Sequence, residues 1–165
     1  MIRIRAFEPA DAPRVASWID DERALYTWSG NSGFTLPGLA DQLTAFYAAD
    51  PTRRGHTALT PSGAVVGHFM LRDLPDRETV RLGFVLISPE TRGQGYGEAM
   101  LRAAVRTAFA DPSAQRVSLG VYPHNQGALR LYERLGFATT GTEEKIVEVD
   151  GAWWSSYQMT LGRQE

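Results

Sequence analysis

Between residues 92 and 97 the chain reads Arg92-Gly93-Gln94-Gly95-Tyr96-Gly97, one arginine followed by three glycines at alternate positions. Glycine reaches backbone conformations closed to other residues, so this spacing lets consecutive N–H groups converge on one concavity. The apolar stretch Val80 to Ile87 runs into it, and a stripe of Met100, Leu101, Ala104, Val105 and Ala108 at helical spacing runs out of it. A strand, a glycine turn and a helix start together make an anion site, because the first turn of a helix offers free donors and a favourable dipole. Arg92 adds a forked, permanently charged donor that matches phosphate. Several charge-assisted hydrogen bonds of roughly 1.5–3 kcal/mol each would hold a diphosphate without a metal.

The same residues argue against two other phosphate sites. A Walker loop ends in Gly-Lys-Ser/Thr, whereas this turn continues Gly97-Glu98-Ala99. A dinucleotide fingerprint needs GxGxxG within a parallel α/β unit, and here Glu98 fills the last glycine position. A second constellation lies downstream. Asn125 and Tyr132 stand seven residues apart, almost two helical turns, and so share one face. Taken alone, Asn125 could be a helix cap and Tyr132 core filling.

The segment Arg92 to Gly97 resembles the R-x-x-G-x-G acetyl-CoA signature of the GNAT superfamily of N-acetyltransferases. The block Asn125-Gln126-Gly127-Ala128-Leu129-Arg130-Leu131-Tyr132-Glu133-Arg134-Leu135-Gly136-Phe137 resembles that family's N-x-x-A-x-x-L-Y-E-x-x-G-F motif, in the expected order and at the expected distance. The resemblance implies an enzyme that moves an acetyl group from acetyl-CoA to a primary amine, on a small molecule or a protein. It implies that Arg92, Gly93, Gln94, Gly95, Tyr96 and Gly97 hold the pyrophosphate. It also implies that the backbone of Leu86 and Ile87 pairs with the pantetheine arm, in a gap where the strand beginning near Arg116 splays away. Tyr132 is then the proton donor to the departing CoA thiolate, and Asn125 bonds the cofactor or holds the helix start. Strand N–H groups near Leu86 would stabilise the tetrahedral oxyanion.

An alkyl amine with a pKa near ~10.4 is protonated at neutral pH, so a base has to free it for attack. The resemblance points to a Glu on or near the fourth strand, and Glu78 at the start of that strand is the acid at hand. His68 on the preceding strand and His124 beside Asn125, each with an ordinary pKa near ~6.5, are the alternatives. The acceptor pocket is expected from the aromatic loop that includes Trp28 and Phe34, from His68, and from the last hairpin at Trp153, since aromatic faces can enclose a cation. Glu143, Glu144 and Glu148 would suit a polyamine or a basic peptide. A catalytically silent acyl-CoA-binding module is the competing reading.

These positions need a frame, and the hydrophobic periodicity supplies one. Met1 to Phe7 alternates as a strand, and a helix opens at Glu8-Pro9-Ala10-Asp11 with Val15, Trp18 and Ile19 at helical spacing. Tyr26 to Gly38 reads as a loop, and Leu39, Leu43 and Phe46 mark a second helix. Strands at about His56 to Leu59, Ala64 to Leu71 and Thr79 to Ser88, with tight turns between them, form an antiparallel meander. A helix to about Ala110, a strand from Val117 to Tyr122 and a short helix from Asn125 to Leu135 come next. Two strands, Phe137 to Val149 and Trp153 to Leu161, close the chain around the hairpin dipeptide Asp150-Gly151. The order β-α-α-β-β-β-α-β-α-β-β gives an α/β (α+β type) fold. Its single mixed, mostly antiparallel sheet has about seven strands flanked by about four helices, in one domain over residues 1–165.

Composition agrees with this frame. With 165 residues, 43% of them hydrophobic, the chain can fill one substantial core. A net charge of −2 gives no electrostatic reason to bind nucleic acid or an anionic membrane. Without cysteine there is no disulfide, no thiolate metal site and no cysteine nucleophile, and His56, His68 and His124 lack ligand spacing, so no metal is expected. The N-terminus alternates apolar and basic residues, and no run approaches ~18 apolar residues, so a cytoplasmic location is expected. The terminal strands leave a homodimer possible.

Overall fold

A computed structural model describes residues 1–164. Strand β1 (Arg3–Ala6) leads through a short 3-10 turn into helices α1 (Ala12–Ala16), α2 (Glu22–Ser29) and α3 (Leu39–Ala48). Strands β2 (Arg53–Leu59), β3 (Val65–Asp73) and β4 (Thr79–Ile87) follow, then α4 (Tyr96–Phe109), β5 (Arg116–Val121), α5 (Gln126–Arg134), β6 (Ala138–Val149) and β7 (Ala152–Gly162). All seven strands join one sheet in the order β1-β2-β3-β4-β5-β7-β6. Every neighbouring pair is antiparallel except β4 and β5, which run parallel. The mixed, mostly antiparallel sheet expected from the sequence is therefore present.

Among the described residues five helices stand where about four were expected, and the additional one is α2. Its second half, Tyr26 to Ser29, falls at the start of the stretch whose Gly, Ser and Asn content reads as loop. The Asp21 carboxylate caps it by accepting from the Ala24 N–H at 2.8 Å, and Leu25, Trp28 and Ser29 form its buried side. Eight residues carry too little periodicity to reveal such a helix from pattern alone. α1 is correspondingly short, and Trp18 and Ile19 pack into the core from beyond its end.

Strand alternation sends side chains to two cores. On one face Phe69, Leu71, Val80, Leu82, Val117 and Leu119 pack beneath Met100, Leu101 and Ala104 of α4. Gly67 permits that closeness, since a Cβ there would lie 2.6 Å from Met100 Sδ. On the other face Val15, Leu25, Trp28, Leu39 and Leu43 from the first three helices cover Leu86. Leu43 is fully buried, which stabilises the fold by roughly 1.5–3 kcal/mol relative to exposure.

The sheet opens at its centre. β4 and β5 pair only at Thr79↔Arg116, Val80↔Val117 and Arg81↔Ser118, and then part. A bulge bends β4 at the same place, since two steps on β3, from His68 to Met70, match three on β4, from Leu86 to Gly83. Phe84 inside the bulge takes a φ of 52°. The resulting fork leaves main-chain groups of β4 without a strand partner on the β5 side. At the far end, Asp150 and Gly151 take φ values of 51° and 80°, the paired positive φ of the hairpin turn that the dipeptide implies. Among the described residues, no helix is long and apolar enough to cross a membrane.

Candidate active site

Three hollows meet at the fork, and Thr27 and Trp28 of α2 line all of them. The largest, about 630 Å³, runs along Leu86 and Ile87 of β4 to Arg92 and Asn125, with Asp21 and Arg23 on the opposing wall. A cavity of about 60 Å³ sits in the fork itself, lined by Phe84, Val85, Tyr122, Asn125 and Tyr132. The third, about 210 Å³, lies on the far side against Arg81, Gly120, Glu143 and Ser156.

The glycine turn connects to the largest of these at Arg92, which is exposed and belongs to none of the ion pairs among the described residues. Gly93 and Gly95 hold φ values of 82° and 83°, left-handed conformations that favour glycine, and Gly95 directly precedes the first turn of α4. The opening amides of α4 therefore lack intrahelical partners and border the turn. Gly93, Gly95 and Gly97 line a further hollow of about 500 Å³ together with Arg102 and Arg134, each 3.3 Å from Glu98. Gln94 is exposed and Tyr96 is half-buried at the start of α4.

Asn125 precedes α5, but its side chain does not cap the helix, and it faces both the largest hollow and the fork. Tyr132, two turns along α5, is buried against Phe137 with ring centroids 5.8 Å apart. Burial pushes its phenol pKa up, so the hydroxyl keeps its proton at neutral pH. The two residues whose seven-residue spacing suggests a shared face do border one cavity.

Other expected positions fall elsewhere. Glu78 stands at the opposite end of β4, exposed and 3.5 Å from Arg116, where β4 and β5 are still joined; the expectation that it serves as the base does not hold. His68 is fully buried, with Nε2 2.7 Å from the Tyr47 hydroxyl. Burial, with a smaller push from His56, brings its pKa down to about 3, so it is a neutral core residue out of reach of an acceptor. Phe34 is buried against Trp28, Phe46 and Phe84 and supports the wall without lining it. Trp153 is 55% exposed on the hairpin, while its neighbour Trp154 turns inward onto Tyr122 and His124. Of the expected acceptor residues, Trp28 lines all three hollows and Glu143 lines the third, whereas Phe34, His68 and Trp153 line none of them.

Thr27, Arg81 and Tyr122 line the site without a motif to mark them. Arg81 did leave a trace, as a lone charge between Val80 and Leu82 in an apolar strand. His124 lies next to Thr27, with Nε2 3.4 Å from the threonine hydroxyl. Partial covering of its ring and the nearby Arg23 cation lower its pKa, leaving the imidazole neutral at pH 7.

Comparison with known proteins agrees with the geometry. The chain is 37% identical over 111 residues to an uncharacterized N-acetyltransferase of Mycobacterium tuberculosis, covering 67% of this chain and 69% of that protein. It is 32% identical over 91 residues to a prophage-derived uncharacterized N-acetyltransferase of Bacillus subtilis, covering 54% of this chain and about half, 51%, of that relative's length. The crystal structure of spermidine N-acetyltransferase from Vibrio cholerae, in complex with CoA and spermine, superimposes with a TM-score of 0.82 over 98% of this chain and 95% of that one; at 18% identity the likeness is one of fold. The family model described as an acetyltransferase (GNAT) domain matches residues 2–138, and the chain belongs to that family.

Proposed function

We propose that the chain transfers an acetyl group from acetyl-CoA to a primary amine by direct attack at the fork between β4 and β5. The observation that carries this reading is that Tyr132, Asn125 and the bulged backbone at Phe84 and Val85 line one cavity, between a long cleft leading to the glycine turn and a smaller cleft beyond. The CoA and spermine bound to the Vibrio cholerae enzyme support the choice of cofactor and of an amine acceptor.

Bound acetyl-CoA supplies an activated thioester carbonyl. The amides around Gly93, Gly95 and Gly97 and the Arg92 guanidinium hold its pyrophosphate, and the unpaired edge of β4 at Leu86 and Ile87 aligns the pantetheine arm. Main-chain donors at the bulge face the oxyanion that forms when the amine attacks. The ammonium first gives a proton through solvent to neutral His124, and the freed lone pair then bonds to the carbonyl carbon. As the C–S bond breaks, Tyr132 protonates the sulfur, and the nitrogen's surplus proton returns to Tyr132 through solvent. A phenol kept protonated by burial suits that role.

Incubation with acetyl-CoA and an amine panel, read by mass spectrometry, should show the gain of one acetyl group. Tyr132→Phe should lower kcat by roughly 10²–10⁴-fold while leaving CoA affinity unchanged. Firm CoA binding with no transfer to any amine would contradict the reading and leave an acyl-CoA-binding module.

A further inference from the structure

The smaller cleft holds a cation with no carboxylate in ion-pair contact among the described residues. Arg81 is half-buried, and its Nη1 donates to Gln158 Oε1 at 2.8 Å and to the Ser118 hydroxyl at 3.5 Å. Both partners are neutral, and no ion pair among the described residues includes Arg81. Gln158 is fixed in turn by donating to Ser156 Oγ at 2.9 Å. Arg72 pairs directly with Arg81 across β3 and β4, so a second guanidinium projects from the same face. Glu143 acts on Arg81 across the cleft more strongly than Arg72 does, but only at a distance, so burial still disfavours the charge and a ligand carboxylate in direct contact would neutralise it.

The guanidinium is aimed at the site of reaction. Arg81 pairs with Ser118 through the backbone, yet its Nη2 lies over Gly120, where an added Cβ would come within 3.0 Å. The side chain thus leans two residues along β5 towards the fork, and Gly120 leaves the room for it. At the other pole of the cleft stand Glu143 and the C-terminal end of α2, whose unpaired carbonyls carry partial negative charge. Its volume of about 210 Å³ lies below the roughly 300–1,000 Å³ usual for drug-sized ligands.

A cleft with one positive and one negative pole, too small for a long chain, fits a compact zwitterion. Building on acetyl transfer as proposed above, we infer that the acceptor amine also carries a carboxylate, as a small amino acid does, and that Arg81 binds this carboxylate through its forked donors. The ammonium then lies towards Glu143 and α2, a few bonds away and beside the fork. A linear polyamine would instead bring a second ammonium against Arg81.

Calorimetric titration of the CoA-saturated chain with glycine, leucine, glutamate and γ-aminobutyrate, each beside its carboxamide, and with spermidine tests this. At least one amino acid should bind tenfold or more tightly than its amide and than spermidine. Arg81→Met should abolish the difference while CoA affinity is retained, and Arg81→Lys should restore part of it. Should Arg81→Met fail to fold, Gly120→Ala, which crowds the guanidinium, should reduce the same preference. Equal binding of acids and amides, or no binding of either, overturns the inference whether or not acetylation occurs. Arg81-dependent binding of an amino acid with no acetyl transfer would instead refute the transfer reaction and leave the carboxylate site standing.

Discussion

The indole N–H of Trp28 donates to the Phe84 carbonyl at 2.9 Å, tying α2 to the bulge of β4. Phe84 holds a φ of 52°, a conformation that costs a non-glycine residue about 1–3 kcal/mol and persists only when its surroundings over-determine it. Trp28, Phe34 and Phe46 do so, with ring centroids 5.2, 5.7 and 5.2 Å from that of Phe84. The same bulge opens the fork, so packing on one face of the sheet sets the geometry of the cavity in it. Trp28→Phe keeps a ring but leaves the carbonyl without its donor. It should lower unfolding free energy by about 1–3 kcal/mol in urea titrations, with a drop in kcat larger than any change in CoA affinity.

Gly95 tests the anion site at its backbone. No atom lies within 4 Å of the position its Cβ would take, so Gly95→Ala meets no steric clash, only the strain of a φ of 83°. That strain is worth about 1–2 kcal/mol and is relieved by turning the peptides away from the pyrophosphate. CoA affinity measured by calorimetry should fall at least tenfold, with little change in melting temperature.

His68 gives stability a pH dependence of known sign. Its folded pKa of about 3 lies below the ordinary value of 6.5, so the unfolded chain binds the proton that the folded chain refuses. The stabilisation is complete above pH 6.5 and is lost as pH falls towards 3, by at most ~1.4 kcal/mol per pH unit. His68→Gln should flatten this dependence when denaturation midpoints at pH 7.5 and 5.5 are compared. Asp11 acts in a separate, lower window. Burial alone would raise its pKa, but the hydrogen bonds from Arg5, Glu8 N–H and Thr57 hold it at about 2.

The proposed role of His124 as base implies a different pH dependence for catalysis. With its pKa held below 6.5 by partial covering and Arg23, kcat/KM should be flat above neutrality and fall on the acid side. His124→Gln should lower the plateau by roughly 10²-fold and erase that acid limb, which a merely structural role would not do.

The half of the site proposed to hold the cofactor is legible in the sequence because it is local. Arg92 to Gly97 and Asn125 to Tyr132 are two short segments whose chemistry depends on spacing within each, and the period-two and helical patterns around them set the strand and helix that carry them. The acceptor half resisted reading because it is assembled by topology. Arg81 and Glu143 lie on strands far apart in sequence, with β5 and β7 between them in the sheet, and neither sits in a motif. Glu78 looked suitable because it opens the right strand, but the fork lies at that strand's other end. His68 looked suitable because imidazole titrates near neutrality, and only its burial beside Tyr47 removes it. The two-turn helix α2, which supplies Thr27 and Trp28, hides in a stretch of loop-like composition.

A crystal structure with CoA bound addresses the central assignment most directly. The pyrophosphate should accept from the amides between Gly93 and Gly97 and from Arg92, and the CoA sulfur should lie about 3–3.5 Å from the Tyr132 hydroxyl. A pantetheine arm running outside the fork, with its sulfur remote from Tyr132, would contradict it.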